Sequence, residues 1–116
     1  MNPFSGSKYG NRKVMVDGIK FDSKLEARRY QELKLLERAG EIKHLRRQVE
    51  FVLQPSFQKN GKTIRKISYI ADFVYIDQTG QFHIEDSKGF RTEIFRLKKK
   101  LFDYKYPHLN IEEVKK

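Results

Sequence analysis

Two apolar runs joined by a short turn constrain the fold of this chain more than any other feature. The first run, KISYIADFVYID, covers residues 66–77, and the second covers residues 81–88. Apolar and polar residues alternate at the start of the second run, and the Gln-Thr-Gly sequence between the runs is typical of a turn. We therefore expect two neighbouring antiparallel strands at the centre of a sheet.

Helix and hairpin signals precede this pair. The segment VMVDGIKF carries an Asp-Gly turn pair, which predicts a hairpin over residues 12–22. Asp22 or Ser23 can cap a helix that follows, and Glu26 stands at the capping-box spacing from Ser23. Gly40 supplies a left-handed stop, so we expect the first helix to end just before it.

The remaining elements are one strand before the pair, and a helix and a strand after it. The first strand pattern runs from Gln48 to Phe57, and Pro55 and a polar loop at residues 59–62 are expected to end the strand. Apolar residues at helical spacing predict a second helix over residues 92–105, and Pro107 stops it. These apolar residues are Ile94, Leu97, Leu101 and Tyr104. A last short strand is predicted in HLNIEEV.

This order predicts an α/β fold in one domain. After the hairpin the elements read α-β-β-β-α-β over residues 22–116, which is typical of a mixed central sheet flanked by helices. The length of 116 residues suits a single domain over residues 12–116, and the polar residues 1–11 are expected to be a mobile tail. No apolar run is long enough to cross a membrane, and the N-terminus does not resemble a signal peptide.

The charge of the chain indicates its partner. It has 25 Lys and Arg against 15 Asp and Glu, a net charge of +10 with a pI near 9.8. Such an excess favours nucleic acid, because each phosphate contact releases condensed counterions. Charge alone does not separate DNA from RNA, and it leaves open an acidic protein partner or no partner. The absence of cysteine excludes thiolate metal sites and fits the cytoplasm.

Carboxylates are predicted on buried faces at three places. Alternation puts Asp86 and Lys88 on the same face as Ile84, and Asp72 in the apolar row of the preceding strand. In the simplest register Asp72 lies opposite about Asp86, with Cβ atoms roughly 5 Å apart. Glu26 falls in the middle of the apolar stripe of the first helix. Three acidic side chains are thus expected to meet at one buried place.

Crowded carboxylates in a low-dielectric site need a cation, and Lys88 cannot balance three of them. Hard carboxylate oxygens suit Mg²⁺, so the pattern predicts a magnesium site facing phosphate. Taken one at a time, each acidic residue is more often a cap, a turn residue or a local ion-pair partner. Glu85 lies on the opposite face and is interpreted as such an ion-pair partner. The three histidines are scattered and do not suggest a zinc site.

These residues resemble the pattern of the PD-(D/E)XK phosphodiesterase superfamily, which has the restriction-endonuclease-like fold. The pattern is an acidic residue on one strand, here Asp72, then acidic-x-Lys on the next, here Asp86-Ser87-Lys88. Glu26 matches an acidic residue that many members carry on the first core helix, whereas Ala71 replaces the proline of the name. The stretches SKLEARRYQEL and YIADFVY…HIEDSKGFRT are further similar to small phage-encoded proteins of this superfamily.

The resemblance implies a metal-dependent DNA endonuclease of phage origin in a bacterial cytoplasm. Asp72, Asp86 and the backbone carbonyl of Ser87 would ligate Mg²⁺ or Mn²⁺, with Glu26 bound directly or through water. Lys88 would orient or deprotonate the attacking water. The products would carry 5′-phosphate and 3′-hydroxyl ends. Compact members include Holliday-junction resolvases, so branched DNA is the expected substrate. A nicking or end-processing nuclease and a non-catalytic nucleic-acid-binding module remain alternatives.

Residues that follow the motif are the predicted DNA contacts, because phosphate has to reach Lys88 from their side. They are Arg91, Thr92, Arg96, Lys98, Lys99 and Lys100. Weaker candidates are Arg12, Lys13, Arg65 and Lys66. No helix-turn-helix or zinc-finger pattern is present, so backbone or shape recognition is expected rather than base reading. Symmetric cutting of two strands needs two active sites, so a homodimer is expected.

Overall fold

The structure is a computed structural model and describes residues 13–87 and 92–115 of the chain. The elements are β1 (Val14–Val16), β2 (Ile19–Phe21), α1 (Lys24–Arg38), β3 (Ile42–Gln54), β4 (Phe57–Lys59), β5 (Lys62–Ile64), β6 (Ile67–Asp77), β7 (Phe82–Asp86), α2 (Glu93–Lys105) and β8 (Ile111–Glu113). The expected mixed α/β fold with an N-terminal hairpin is confirmed. A small hairpin, β4–β5, is added between β3 and β6.

The central sheet has four strands in the order β3-β6-β7-β8. β3 and β7 are both antiparallel to β6, and β8 runs parallel to β7 after the crossover through α2. The predicted register of β6 and β7 is confirmed, since Phe73 pairs with Glu85 and the Asp77 N–H donates to the Gln81 carbonyl at 2.9 Å. The next position in this register places Asp72 on β6 opposite Asp86, the last residue of β7.

The ends of α1 follow from local chemistry. Ser23 is the N-cap, and its Oγ accepts from the Glu26 N–H at 3.1 Å. At the other end Gly40 takes φ +79°, and the Glu41 N–H donates to the Leu36 carbonyl at 2.9 Å. That bond returns the chain over the last turn in a Schellman arrangement, which favours glycine at the left-handed position. Both predicted boundaries of the first helix are confirmed.

The sheet is covered on both faces, so it has two apolar clusters. α1 and the β1–β2 hairpin pack on one face, with Phe21, Ala27, Tyr30, Leu33, Ile42, Phe73 and Tyr75 in the cluster. α2 packs on the other face, with Tyr69, Ala71, Val74, Ile84, Phe102 and Ile111. Within the described ranges, neither helix is long and apolar enough to cross a membrane.

The start of the first long strand was predicted wrongly. β3 begins at Ile42 rather than Gln48, and it ends at Gln54, just before the Pro55 that was expected to end the strand. Its first half, IKHLRR, lacks a clean alternation, and pairing with β6 rather than local pattern makes it a strand. The expected loop at residues 59–62 is instead the tip of the β4–β5 hairpin, where Asn60 and Gly61 both have positive φ.

The residues whose spacing predicted α2 are mostly not those that pack against the sheet. Ile94 is 69% exposed, Leu97 57% and Tyr104 89%. The face that meets the sheet instead carries Phe102, which is fully buried, and the half-buried Phe95. α2 therefore has two apolar faces on nearly opposite sides, and periodicity alone does not decide which of them is buried.

Candidate active site

The three predicted carboxylates come from three different elements, and all are buried. Glu26 lies in the first turn of α1, Asp72 in the middle of β6 and Asp86 at the end of β7. Their exposed fractions are 2%, 0% and 2%. Burial of an acidic side chain is rare unless it is hydrogen-bonded, so the donors around each of them define the chemistry of the site.

Gln48 on β3 connects two of the carboxylates. Its amide Nε2 lies 3.2 Å from Oε2 of Glu26 and 3.4 Å from Oδ1 of Asp72. The residue is exposed, and its φ of +52° is unusual for a non-glycine residue inside a strand. Such a conformation costs on the order of 1–3 kcal/mol and is found most often at functional sites. One solvent-accessible amide therefore covers two buried acids.

The strand alternation of β6 breaks opposite Gln48. Tyr69 and Ala71 belong to the cluster under α2, whereas Phe73 and Tyr75 belong to the cluster under α1. Strict alternation would put all four side chains on one face. The expectation that Asp72 continues one apolar row from residue 70 to residue 76 is therefore wrong, because Ile70 is 48% exposed. The break lets Asp72 meet Glu26 from α1.

Ser87 holds Asp72 from the side of β7. Its backbone N–H and its Oγ both donate to Oδ2 of Asp72, each at 2.7 Å. The sequence predicted Ser87 as a metal ligand through its carbonyl. The structure brings Ser87 to Asp72 as a double donor, and it fixes the carboxylate of Asp72 in one orientation.

Asp86 is held by a tyrosine. The Tyr69 hydroxyl donates to Oδ2 of Asp86 at 2.8 Å. Burial raises the pKa of Tyr69 well above its ordinary value, and the charge of Asp86, the hydrogen bond to it and the charge of Asp72 raise it further. The hydroxyl therefore stays protonated and remains a donor at neutral pH. The Tyr69 hydroxyl therefore holds Asp86 by a hydrogen bond, whereas Asp72 acts on it through charge alone.

Arg47 adds a positive charge at the edge of this site. Its Nη2 lies 3.8 Å from Oε2 of Glu26, and its guanidinium lies 4.5 Å from the centre of the Phe21 ring. The Nε of Arg47 is buried and has no hydrogen-bond partner in the described part of the chain. The contact with Glu26 is long for an ion pair, so the guanidinium lies beside the carboxylate rather than in a bidentate bond with it.

Glu85 has a different environment one residue before Asp86. It is 4% exposed, and its two oxygens accept from Nε and Nη2 of Arg29, both at 2.8 Å. The Tyr75 hydroxyl also donates to it. The hydrogen bond to Glu85 raises the pKa of Arg29 above its ordinary value although burial opposes this. The interpretation of Glu85 as an ion-pair partner agrees with this geometry.

A cleft of about 590 Å³ opens beside Asp86. Tyr69 lines it together with Lys66, Thr92 and Lys98. Two predicted DNA contacts, Thr92 and Lys98, therefore lie at the cleft. Lys66, one of the weaker candidates for DNA contact, lies there too. Thr92 also caps α2, since its Oγ1 accepts from the backbone N–H three residues later at 3.0 Å.

The other predicted DNA contacts lie elsewhere. Arg96, Lys99 and Lys100 are not among the described residues that line the cleft, and Lys99 pairs with Asp103 at 2.8 Å. Lys13 and Arg65 are exposed. Three predicted residues, Arg12, Lys88 and Arg91, fall outside the described residues, as does the predicted tail at residues 1–11.

The possible ligand side chains near the site restrict which metal ions it could hold. In residues 13–87 and 92–115, no group of three or more His, Cys, Asp or Glu side chains is arranged to hold a metal ion. Two carboxylates, Glu26 and Asp72, do converge on a single amide nitrogen. Mg²⁺ is often held by only one or two protein carboxylates with water and substrate phosphate, so this pair fits such an ion in its chemistry.

Sequence reasoning missed Gln48, Tyr69 and Arg47. Gln48 was placed only as the start of a strand, and a positive φ at a glutamine leaves no signal in the sequence. Tyr69 lies before the break in the alternation of β6, so its face could not be deduced from the residues after the break. Arg47 lies in the half of β3 that has no strand pattern in the sequence. All three depend on how β3 and β6 pair, which is a tertiary property.

Comparison with known proteins gives one family. A family model with the description "Protein of unknown function (DUF1064)" matches residues 6–116, a range that includes all elements of the fold and the three carboxylates. No curated protein and no solved structure matches the chain. The description of the family states no activity, so the geometry of the site carries the functional reasoning.

Proposed function

This chain belongs to the family described as "Protein of unknown function (DUF1064)", and we propose that it is a metal-dependent DNA endonuclease that hydrolyses phosphodiester bonds. The observation that carries the proposal is the meeting of buried carboxylates from separate elements. Glu26 and Asp72 share one amide nitrogen, and the register of β6 and β7 places Asp86 opposite Asp72 on the neighbouring strand. Burial of acidic side chains costs free energy, whereas burial of apolar side chains at the same place would stabilise the fold. The arrangement therefore contributes little to stability.

Gln48 supports a cation at this place. Its NH₂ group lies between two acidic oxygens, which is a position that a hard cation would favour. The side chain is exposed and its backbone is strained, so the amide can leave the carboxylates without unpacking the core. Glu26 and Asp72 would then hold Mg²⁺ or Mn²⁺, with Asp86 and the Ser87 carbonyl as the further ligands that the superfamily resemblance implies.

The roles in the reaction follow from these positions. A bound divalent ion lowers the pKa of its water and offsets negative charge on the scissile phosphate. Ser87 and Tyr69 fix the two aspartates by hydrogen bonds. Lys88, by the superfamily resemblance, would orient or deprotonate the water. Attack on phosphorus forms one P–O bond and breaks the bond to the 3′ oxygen, which takes a proton and leaves as a 3′-hydroxyl opposite a 5′-phosphate.

DNA is proposed as the substrate because of charge and the position of the cleft. The chain carries a net charge of +10, and Lys66 and Lys98 line the cleft that contains Asp86. Thr92 at the same cleft caps α2, whose N-terminus favours phosphate. Within DNA, we propose branched molecules such as Holliday junctions as the preferred substrate, as the resemblance to compact superfamily members implies. A nicking or end-processing nuclease of a phage is the alternative within the same chemistry.

A homodimer is part of this proposal, because a junction is cut on two strands. Leu97 and Tyr104, which are exposed on α2, form the apolar surface that a second copy could cover. Sedimentation equilibrium at the concentrations of a cleavage assay tests the dimer. A mass of one chain on junction DNA would contradict it.

One observation favours a second function, a non-catalytic module that binds nucleic acid. The carboxylates accept hydrogen bonds from Gln48, Ser87 and Tyr69, and the described residues contain no group of three acidic or histidine ligands. In that case the acids would be structural, and the basic surface alone would carry the function. Binding would then be independent of Mg²⁺ and unaffected by neutral substitutions in the acids.

The deciding experiment incubates the protein with four-way junction, flap and linear DNA in Mg²⁺, in Mn²⁺ and in EDTA. We expect cleavage of the junction with either metal and none with EDTA. Asp72→Asn should lower the cleavage rate by about 10²-fold or more, since it removes a charge that acts at the reacting centre, while binding persists.

Asp103→Asn is the matched control, since Asp103 is an exposed aspartate on α2 and the chemical change is the same. It should cleave at close to the wild-type rate. Junction binding without cleavage in every metal condition would support the binding module instead. Equal cleavage of linear and junction DNA would favour the end-processing nuclease.

A further inference from the structure

The β4–β5 hairpin is the most exposed structured part of the described chain. All six of its strand residues are exposed, and it forms a two-stranded sheet of its own, separate from the central sheet. Phe57 pairs with Ile64 at its base and Lys59 pairs with Lys62 at its tip. We call residues 57–64 the arm. None of its six strand residues belongs to either apolar cluster, so the core does not explain why the chain contains it.

The arm lies in a segment of uniform charge. Residues 51–71 contain no Asp or Glu, whereas Lys59, Lys62, Arg65 and Lys66 all fall within eight positions. Lys66 pairs with Glu50 at 2.9 Å. The other three have no ion-pair partner among residues 13–87 and 92–115. The arm and the two residues that follow it therefore present positive charge to solvent.

The pairing of the two lysines costs stability. Lys59 and Lys62 are directly opposite on adjacent strands, where like charges destabilise a hairpin. A bound polyanion would remove this repulsion, because each ammonium would then face a phosphate.

The arm is formed before any partner binds. Asn60 and Gly61 have φ of +52° and +73°, the positive pair that a two-residue hairpin turn requires. The Gln58 amide donates to the Thr63 hydroxyl at 2.7 Å across the strands. A preformed arm loses little conformational entropy on binding. A two-stranded ribbon is also of a size that the major groove of duplex DNA admits.

The arm is connected directly to the strand that carries the candidate active site. β6 begins at Ile67, and five residues of strand, about 17 Å, separate it from Asp72. This distance is about half of the roughly 34 Å that one turn of duplex DNA spans. Lys66, between the arm and β6, also lines the cleft at Asp86. One duplex can therefore reach both the arm and the cleft.

We propose that the arm is a DNA-binding element that contacts phosphates of the duplex flanking the site through Lys59 and Lys62. The inference rests on the proposed function in taking DNA as the partner, but it needs no catalysis. The arm supplies affinity and sets where the duplex enters, because phosphate contacts position a protein on DNA and carry no sequence information directly.

The test measures binding of the full chain to labelled duplex DNA by fluorescence anisotropy in EDTA, over a series of salt concentrations. Lys59→Ala/Lys62→Ala should reduce the slope of log K against log salt by about 1.8, because each phosphate contact contributes about 0.9. At about 0.15 M salt this corresponds to an affinity lower by about 30-fold.

The matched control is Lys20→Ala/Lys43→Ala. It also removes two exposed strand lysines, so it has the same net charge as the arm variant. It should keep most of the wild-type slope. Equal slopes for the two double variants would overturn the proposal. A fall in affinity accompanied by a change of sedimenting mass would also overturn it, because the arm would then act between copies of the chain.

The two proposals fail in different ways. DNA binding that depends on the arm, without cleavage in Mg²⁺ or Mn²⁺, would support the arm proposal and refute the nuclease proposal. Metal-dependent cleavage with a salt slope that does not change in Lys59→Ala/Lys62→Ala would refute the arm alone. Circular dichroism of both double variants checks that each of them folds.

Discussion

Glu85 and Asp86 are consecutive buried acids on one strand, and their surroundings differ. Glu85 faces α1 and accepts two hydrogen bonds from Arg29, a full countercharge in a bidentate pair. Asp86 faces the α2 side and accepts a hydrogen bond from the neutral Tyr69 hydroxyl. Asp72, opposite it on β6, accepts hydrogen bonds from Ser87 and from the Gln48 amide. The two faces of β7 thus hold their carboxylates with different kinds of donor.

The difference separates a structural acid from a candidate functional one. A bidentate Arg-carboxylate pair is strong and specific, and a metal ion gains little by competing with it. Neutral donors bind a carboxylate less strongly, so an arriving cation can replace them. The same sheet therefore carries an ion pair that stabilises the fold at Glu85, and two aspartates next to it that accept from hydroxyl and amide groups. Three expected outcomes test this contrast.

The largest effect is expected at the ion pair. Arg29→Met leaves the Glu85 carboxylate buried without its main partner, which typically costs about 3–5 kcal/mol of stability. Urea unfolding measures the loss, and Mg²⁺ should not restore it. Arg28→Met is the matched control, since Arg28 is the adjacent exposed arginine. If both variants lost the same free energy of unfolding, the pair would not be the structural element that its geometry indicates.

A smaller effect is expected at Gln48. Gln48→Ala removes the amide that Glu26 and Asp72 share, so the apo protein should lose about 1–3 kcal/mol. Addition of Mg²⁺ should raise the melting temperature of this variant more than that of the wild type, because the ion takes the place of the amide. Gln58→Ala on the arm also removes an amide donor, and it should show no such gain. An identical Mg²⁺ shift in all three proteins would argue against a cation at Gln48.

The smallest effect is a dependence of stability on pH at His83. Its ring nitrogens lie 2.7 Å from Asp77 Oδ2 and 2.8 Å from Glu112 Oε2. Burial lowers the pKa of His83, but hydrogen bonds and charge from both acids outweigh it and raise the pKa above 6.5. The imidazolium therefore stabilises the fold fully below about pH 6.5, and this contribution is lost as the pH rises through the raised value.

Melting curves between pH 5 and pH 9 test this dependence. His83→Gln should flatten the profile over the range in which the wild type loses stability, whereas His108→Gln at an exposed site should keep the wild-type shape. An unchanged profile in His83→Gln would show that the histidine does not titrate with folding.

Much of the candidate site was predictable because it depends on short-range rules. Glu26 was expected inside the apolar stripe of α1 from 3.6-residue periodicity, and it is buried. The register that sets Asp72 beside Asp86 followed from the turn length between two clear strands. The position of Glu85 on the opposite face followed from alternation.

Other features could not be predicted, because non-local packing decides them. The start of β3 at Ile42 depends on pairing with β6, since its own residues carry no strand pattern. The buried face of α2 depends on which of two apolar faces meets the sheet, and Phe102 rather than Leu97 does so. The strained backbone of Gln48 exists only because β3 and β6 are held together on both sides of it.

The sequence by itself determined the order of the main elements, the cap of the first helix, the basic charge and the burial of the three acids. These depend on periodicity, turn chemistry and composition, which act over a few residues. Only the tertiary structure decided which donors hold each acid, that the strand alternation breaks at Asp72, and that a charged hairpin stands apart from the core. Those outcomes come from contacts between distant segments, and the burial of one segment is fixed only when the others are in place.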